Sequence, residues 1–376
     1  MIVPYLSKKQ WRGVFFMETI HVPISELGVG KVISEDIFAN TQYPIIFKDT
    51  KISYVHLQVF HAFNIFNVPV YKNQQDAQLE KKENDVEVVI EDIPTFRKVY
   101  NNSVEQFKRE FKNWEAGAKV DIAKARTIIL PLVEMVLDDR TIIFDLNEYS
   151  NPKEYLYHHC VATGLISAVI AQKLGYDRGT TIQVAIGGLL ADCGMAKVHP
   201  RIRDKKTPLT EQEYNEIYKH PVYSYNMVKD LTVLKETMKE AIFQHHERLN
   251  GSGYPKGERI ANISIFAQII AVADVFHAMT CERVYRSKQS SFKVIEMINE
   301  SEFGKFDIKV VRALIDIVAD LPIGTIVELS NLERGEVMFV NKFAPTRPLI
   351  KLIHSGEIFD LGKNRSFYIS RIITNI

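Results

Sequence analysis

Between Pro94 and Leu321 the apolar residues recur with the period of an α-helix, and on either side of that stretch they do not. Helical periodicity runs over 96–115, 119–137, 152–174, 180–192, 212–219, 233–246, 263–280, 292–298 and 308–321, so the spacing predicts an all-α body over 94–321. After Pro322 the pattern becomes alternating: TIVELS, GEVMFVN, PLIKLIH and SFYISRI are separated by turn material such as NLERGE and HSGE. A small antiparallel sheet or barrel is expected over 322–376. Before the helical body, residues 17–71 mix short β-rich pieces with one amphipathic stretch, Tyr54 to Phe66, as in a small α+β module. The polar run KNQQDAQLEKKEND falls in 72–93, which reads as a linker. The expected class is mainly α with a small module at each end.

Charge and cysteine usage narrow the function classes. With 47 Lys+Arg against 46 Asp+Glu and no basic stripe, a nucleic-acid partner is not expected. Three scattered cysteines make neither a disulfide framework nor a zinc-finger spacing, so a reducing cytoplasm is the expected setting. No apolar run reaches the roughly 18 to 20 residues of a spanning helix, because Ile128 to Val136 is broken by Pro131 and Glu134. Residues 1–16 lack the apolar length and small-residue cleavage site of a signal peptide. Met17 opens a segment that reads equally well as a start, which leaves 1–16 as either an upstream extension or the true beginning.

The helical body holds His158, His159, His199, His220, His245, His246 and His277 together with Asp192 and Asp274. Histidine and carboxylate without thiolate is a donor set suited to Fe(II), Mn(II) or zinc, and a carboxylate can bridge two ions. Taken singly, each helix histidine is as well explained by an ordinary hydrogen bond, and periodicity does not choose between His158 and His159. Adjacent His245 and His246 would lie about 100° apart on a helix, so both can face one site only at a helix end or a distortion. The segment HHERLNGSGYPKG supplies glycines just beyond them for a tight turn.

That segment resembles the signature of the HD-GYP proteins, a branch of the HD-type metal-dependent phosphohydrolases. The resemblance extends over about residues 155–321 through YLYHHC, LLADCGM, LTEQEYNEIYKHP and IAVADVFHAMTCERVYR, in the family's order. It implies a helical HD core with two divalent ions, iron or manganese, and hydrolysis of cyclic di-GMP to pGpG or GMP. By the same resemblance His159, Asp192, His220, His245, His246 and Asp274 are ligands, with Asp192 bridging at the catalytic centre. Arg283 and Arg286 would hold substrate phosphate, and Gly253, Tyr254 and Pro255 would shape the mouth of the site. Of the aromatic residues over 214–225, either all pack or one stacks on a guanine base.

The sequence also departs from the family. The name-giving pair is Ala191-Asp192 here, so a ligand histidine is missing, and Met195 replaces the lysine that ends the motif. An alanine methyl donates no electron pair, which makes one ion rather than two an open alternative. Tyr155 stands where members with a third metal carry glutamate, and Ser224 replaces the glycine of HPxxG. His277, where many members have aspartate, lies one turn after Asp274 and offers itself as a replacement ligand or as a plain hydrogen-bonding group; His199 is a weaker version of the same idea. Cys160, Cys193 and Cys281 read as small buried hydrophobes. Two functions follow from the resemblance: a cyclic di-GMP phosphodiesterase, with activity reduced by these losses, or an inactive relative serving as nucleotide sensor or protein scaffold. The terminal modules are candidates for a partner contact or homodimer.

Overall fold

The computed structural model describes residues 19–72 except 25–26, 29, 39–43, 54–55, 58, 61–62 and 64, then 95–281 except 145, and 288–373 except 302–303. The expected extension over 1–16 and nearly all of the linker over 72–93 lie outside them. The chain divides into two units, Met1–Asp92 and Ile93–Ile376.

In the first unit, β1 (Thr19–Pro23) pairs antiparallel with β2 (Asn67–Tyr71), Thr19 opposite Tyr71 and Pro23 opposite Asn67. Isolated bridges such as Ile33 to Val70 extend the layer. Alternate residues point one way on a strand, so Val68 and Val70 enter one small core with Ile33, Ile52 and Phe60.

The second unit is helical: α1 (Phe96–Glu115), α2 (Ile122–Asp138), α3 (Tyr155–Lys173), α4 (Arg178–Leu190), α5 (Pro200–Arg203), α6 (Glu211–Ile217), α7 (His220–Val228), α8 (Glu236–Gln244), α9 (Ile265–Thr280), α10 (Ser291–Ser301) and α11 (Ile308–Val318). Every residue of α3 from His158 to Ala171 is buried, because the helix is apolar on all sides and α1, α2, α4, α9 and α11 surround it. Gly164 on α3 and Gly188 on α4 let the two backbones touch. A Cβ on Gly188 would meet the Gly164 Cα at 2.9 Å, and one on Gly164 would meet the Ala185 carbonyl at 2.8 Å. That contact brings the first turn of α3 beside the end of α4.

Three elements were not expected from the periodicity, the first being α5, a single turn too short to show a period. α7 carries Pro221 in its first turn, where a missing N–H costs nothing, so the proline that looks like a stop begins a helix. The short strand β6 (Ile358–Asp360) reads as turn because it has only three residues. It joins β3 (Ile326–Leu329), β4 (Arg334–Phe339), β5 (Leu349–Leu352) and β7 (Ile369–Ile372) in an antiparallel sheet of order β6-β5-β4-β3-β7. Arg347 ties this sheet to α10. Its guanidinium grips both carboxylate oxygens of Glu296 at 2.5 Å and donates to the Phe367 carbonyl at 2.6 Å.

Candidate metal centre

Helix ends and turns gather the polar groups. His159 is the fifth residue of α3, and Asp192 follows the end of α4, just before a tight 3-10 turn over Cys193–Lys197. His220 opens α7, and Asp274 projects from the middle of α9. α8 stops at Gln244, so His245 and His246 leave it in a turn where neighbouring side chains can converge. Together these groups form two donor sets: Asp192, His220, His245 and His246 in one, and His159, Asp192 and Asp274 in the other.

Asp192 belongs to both, one oxygen to each. Its Oδ1 lies 3.0 Å from His220 Nε2 and 3.6 Å from His245 Nε2, while Oδ2 lies 3.5 Å from His159 Nε2. Asp274 places Oδ1 at 2.8 Å from His159 Nε2 and Oδ2 at 3.6 Å from His246 Nδ1. The far nitrogens are committed elsewhere. His220 Nδ1 donates to the Ile217 carbonyl and His245 Nδ1 to the Ile242 carbonyl, each at 2.7 Å, so both Nε2 atoms face Asp192, where they bond the carboxylate when protonated and offer lone pairs to a cation when not. A histidine ligand to a divalent cation needs that arrangement, so the donor chemistry fits such an ion.

Electrostatics agree. Burial alone would raise the Asp192 carboxyl, but hydrogen bonds from His220 and His245 hold it well below the usual carboxylate range. Asp274 is likewise held down against its burial by His159 and by the nearby His246. His246 is kept neutral chiefly by burial and then by the adjacent His245. Ionised carboxylates beside neutral imidazoles are the states that bind metal.

The loop after the histidine pair folds back over it. A side chain at Gly253 would overlap the Arg248 nitrogen, the His246 carbonyl and the Glu247 Cα, so only glycine fits. Tyr254 donates its N–H to the His246 carbonyl at 3.1 Å, and the Tyr254–Pro255 peptide is cis. The Tyr254 ring lies between His246, at 4.6 Å, and Tyr218, at 4.3 Å between centroids. Glu247 is fully buried and accepts the N–H groups of Lys256 and Glu258, at 2.8 and 2.9 Å. Glu247 does not stand out in the sequence, a charged residue inside a glycine-rich turn being its one available signal, whereas Tyr218 is among the aromatic residues over 214–225 for which stacking is one of two alternatives.

The other residues singled out in the sequence lie outside both donor sets. His277 belongs to neither donor set; its Nδ1 faces His159 Nδ1 at 2.9 Å. His199 is exposed and caps α5, accepting the Arg201 N–H at 3.2 Å. Cys281 is more than packing, since its sulfur meets His277 Nε2 at 3.1 Å. Cys160 and Cys193 are buried, and burial pushes the Cys193 thiol up to about 12. His158 packs against Tyr100, with ring centroids 5.7 Å apart. Ala191 turns its methyl into an apolar patch with Ala241, Ala267 and Ile270, and Met195 packs on the core. No substitute donor therefore takes the place of the missing histidine or lysine among the described residues. Arg283 and Arg286 lie outside the described residues.

Residues 140–310 match the family model of the HD domain. The chain is 28% identical over 261 residues to the cyclic di-GMP phosphodiesterase PA4108 of Pseudomonas aeruginosa, covering 67% of this chain and 63% of that one. It is 29% identical over 214 residues to the cyclic di-GMP phosphodiesterase PdeB of Borreliella burgdorferi, covering 56% of each. It is 30% identical over 192 residues to the 3'3'-cGAMP-specific phosphodiesterase 3 of Vibrio cholerae, covering 50% of this chain and 42% of that one. The chain thus spans less than two thirds of the length of the curated relatives it matches. Among the described residues no helix is long and apolar enough to cross a membrane.

Proposed function

We propose that this chain, which belongs to the HD-domain family in its HD-GYP form, is a metal-dependent phosphodiesterase acting on a cyclic dinucleotide. The observation that carries the reading is Asp192, a single carboxylate set between two groups of nitrogen and oxygen donors with one oxygen facing each. Divalent ions held there by His159, Asp192, His220, His245, His246 and Asp274 would lower the pKa of a bound water and neutralise charge on a phosphodiester. A thiolate-free set of this kind supports iron or manganese.

The chain's own residues do the positioning. His220 and His245 are locked by backbone carbonyls, and the Gly253–Pro255 turn presses Tyr254 against His246, so the donors are set before substrate arrives. Asp192 is shared by a four-donor and a three-donor set, and Ala191 supplies a donor to neither. Arg283 and Arg286, three residues apart, are assigned to substrate phosphate on the family resemblance alone. Of the named relatives, two are cyclic di-GMP enzymes and one is specific for 3'3'-cGAMP, which supports the class of substrate and leaves its second base to experiment. The relatives' enzymatic names also weigh against a binding-only role. Three buried thiols suit a reducing compartment, which supports a cytoplasmic setting.

The test is elemental analysis of protein purified without oxygen, with turnover of cyclic di-GMP and 3'3'-cGAMP in Mn(II) or Fe(II) and Asp192→Ala as control. About two ions per chain and turnover that the control abolishes are expected. Less than about one ion and no linear product from either substrate would end the enzyme reading.

A further inference from the structure

His159 differs from the other histidines in what holds it. His220 and His245 are each oriented by the backbone carbonyl three residues before them, which no side-chain change removes. His159 has its Nε2 toward Asp274 and Asp192, and its Nδ1 faces two side chains, His277 Nδ1 at 2.9 Å and the Tyr155 hydroxyl at 3.2 Å. Two imidazole nitrogens at that separation require one to carry the hydrogen and the other a lone pair. If Nε2 of a neutral His159 is to give its lone pair to a cation, the hydrogen sits on Nδ1, and His277 Nδ1, nearer than the Tyr155 hydroxyl, is the acceptor it meets at the shorter distance. A neutral His277 then carries its own hydrogen on Nε2, which lies 3.1 Å from Cys281 Sγ, an acceptor. All three residues are buried, and the Tyr155 ring stacks on His159 with centroids 5.1 Å apart.

We infer that His277 is the positioning residue for the three-donor half of the centre: it fixes the His159 tautomer and ring, with Cys281 fixing His277 in turn. The inference rests on the metal reading above. Its weight comes from Ala191. The three-donor set has no further protein ligand among the described residues, so retention of an ion there depends on how well His159 is presented, and the donor that His277 faces is His159, which belongs to that set and not to the four-donor one. Orienting partners of this kind are worth about 10- to 100-fold in metal affinity.

The experiment titrates metal-depleted protein with Mn(II) alone, without substrate, and resolves the tighter and weaker ions by chelator competition and by electron paramagnetic resonance of the bound ion. His277→Leu is expected to weaken the second ion by about 10- to 100-fold and leave the first unchanged. His277→Asn sets an amide oxygen where Nδ1 was and is expected to stay within about threefold of wild type, a rescue that plain packing would not give. Thermal unfolding of both metal-depleted variants controls for loss of fold. Equal affinities for both ions in wild type and His277→Leu would overturn the inference. So would parallel weakening of both ions, an Asn variant no better than Leu, or a wild-type chain that takes only one ion. Turnover by wild type is read separately, so the positioning role can fail while the phosphodiesterase reading stands.

Discussion

Ser224 donates its hydroxyl to the Ala191 carbonyl at 2.6 Å and accepts the Gly194 N–H on the same oxygen at 2.8 Å. The two backbone groups lie on either side of Asp192, so this one side chain clamps the turn that presents the shared carboxylate. The glycine usual at this position has been exchanged for a residue that stitches α7 to that turn. Close approach is still supplied by glycine, now from the other side, since a Cβ on Gly194 would overlap the His220 carbonyl. Ser224→Ala strands a buried donor and a buried acceptor and is expected to cost about 1–3 kcal/mol in urea unfolding. Ser224→Gly should lose at least as much. An unchanged midpoint in both would mean that the clamp is idle.

Putting the missing histidine back is not expected to restore an ordinary site. Ala191 packs against Ala241, Ala267 and Ile270, and its neighbours have closed around a methyl group. Ala191→His must force an imidazole into that space, at about 1–3 kcal/mol for overpacking. The variant should melt lower than wild type in the metal-depleted state. A variant of equal or higher stability would show that the patch opens toward the donor sets after all.

How much of this was legible in the sequence depended on the kind of signal. Helix α1 could be read at both ends because Tyr100, Phe107, Phe111 and Trp114 repeat one buried face over its whole length. Helix α7 could not, because Pro221 is a stop signal everywhere except in a first turn. Motif order pointed to His159, Asp192, His220, His245, His246 and Asp274, and the structure brings these six together. What the sequence could not give was direction. One turn of helix separates Asp274 from His277 and suggests a shared target, yet His277 faces the back of His159. Glu247 was hidden for a related reason, since its partners are backbone N–H groups nine and eleven residues away.

Glu247 fixes the glycine turn from beneath. Its carboxylate takes two backbone N–H groups, and Arg248 donates to the His245 and Glu247 carbonyls at 3.2 and 2.9 Å while stacking on Phe306. Glu247→Gln keeps the shape, removes the charge and leaves only one oxygen to accept. A loss of about 1.5–3 kcal/mol is expected, as for a hydrogen bond to a charged group. Hydrogen exchange at Lys256 and Glu258 should rise together, and exchange confined to one of them would contradict the two-point anchor.

Tyr218 ends a stack of three rings that begins at His246 and passes through Tyr254, and it is 44% exposed. An exposed ring above the donor sets is a surface on which a purine can stack. Tyr218→Ala is expected to cost about 1–3 kcal/mol of substrate binding, seen as a roughly 5- to 150-fold rise in KM with kcat nearly kept. A fall in kcat at constant KM would instead assign the ring to holding Tyr254.

Acid should undo the centre in two stages, and the sign of each follows from its shift. Folded His246 sits well below the ordinary histidine value, mainly through burial and then through His245. As pH falls through about 6.5 the unfolded chain therefore takes up a proton that the folded chain refuses, and stability drops. Asp192 and Asp274 are held down by their histidine partners, so their contribution is complete above about pH 4 and disappears as pH falls through the folded values. Urea midpoints of metal-depleted protein should be level above about pH 7, decline from about pH 6.5, and decline again below about pH 4. His246→Asn should flatten the upper decline and leave the lower one. A midpoint that rose on acidification from about pH 6.5 to 5 would mean that His246 gains a proton on folding, against the burial that surrounds it.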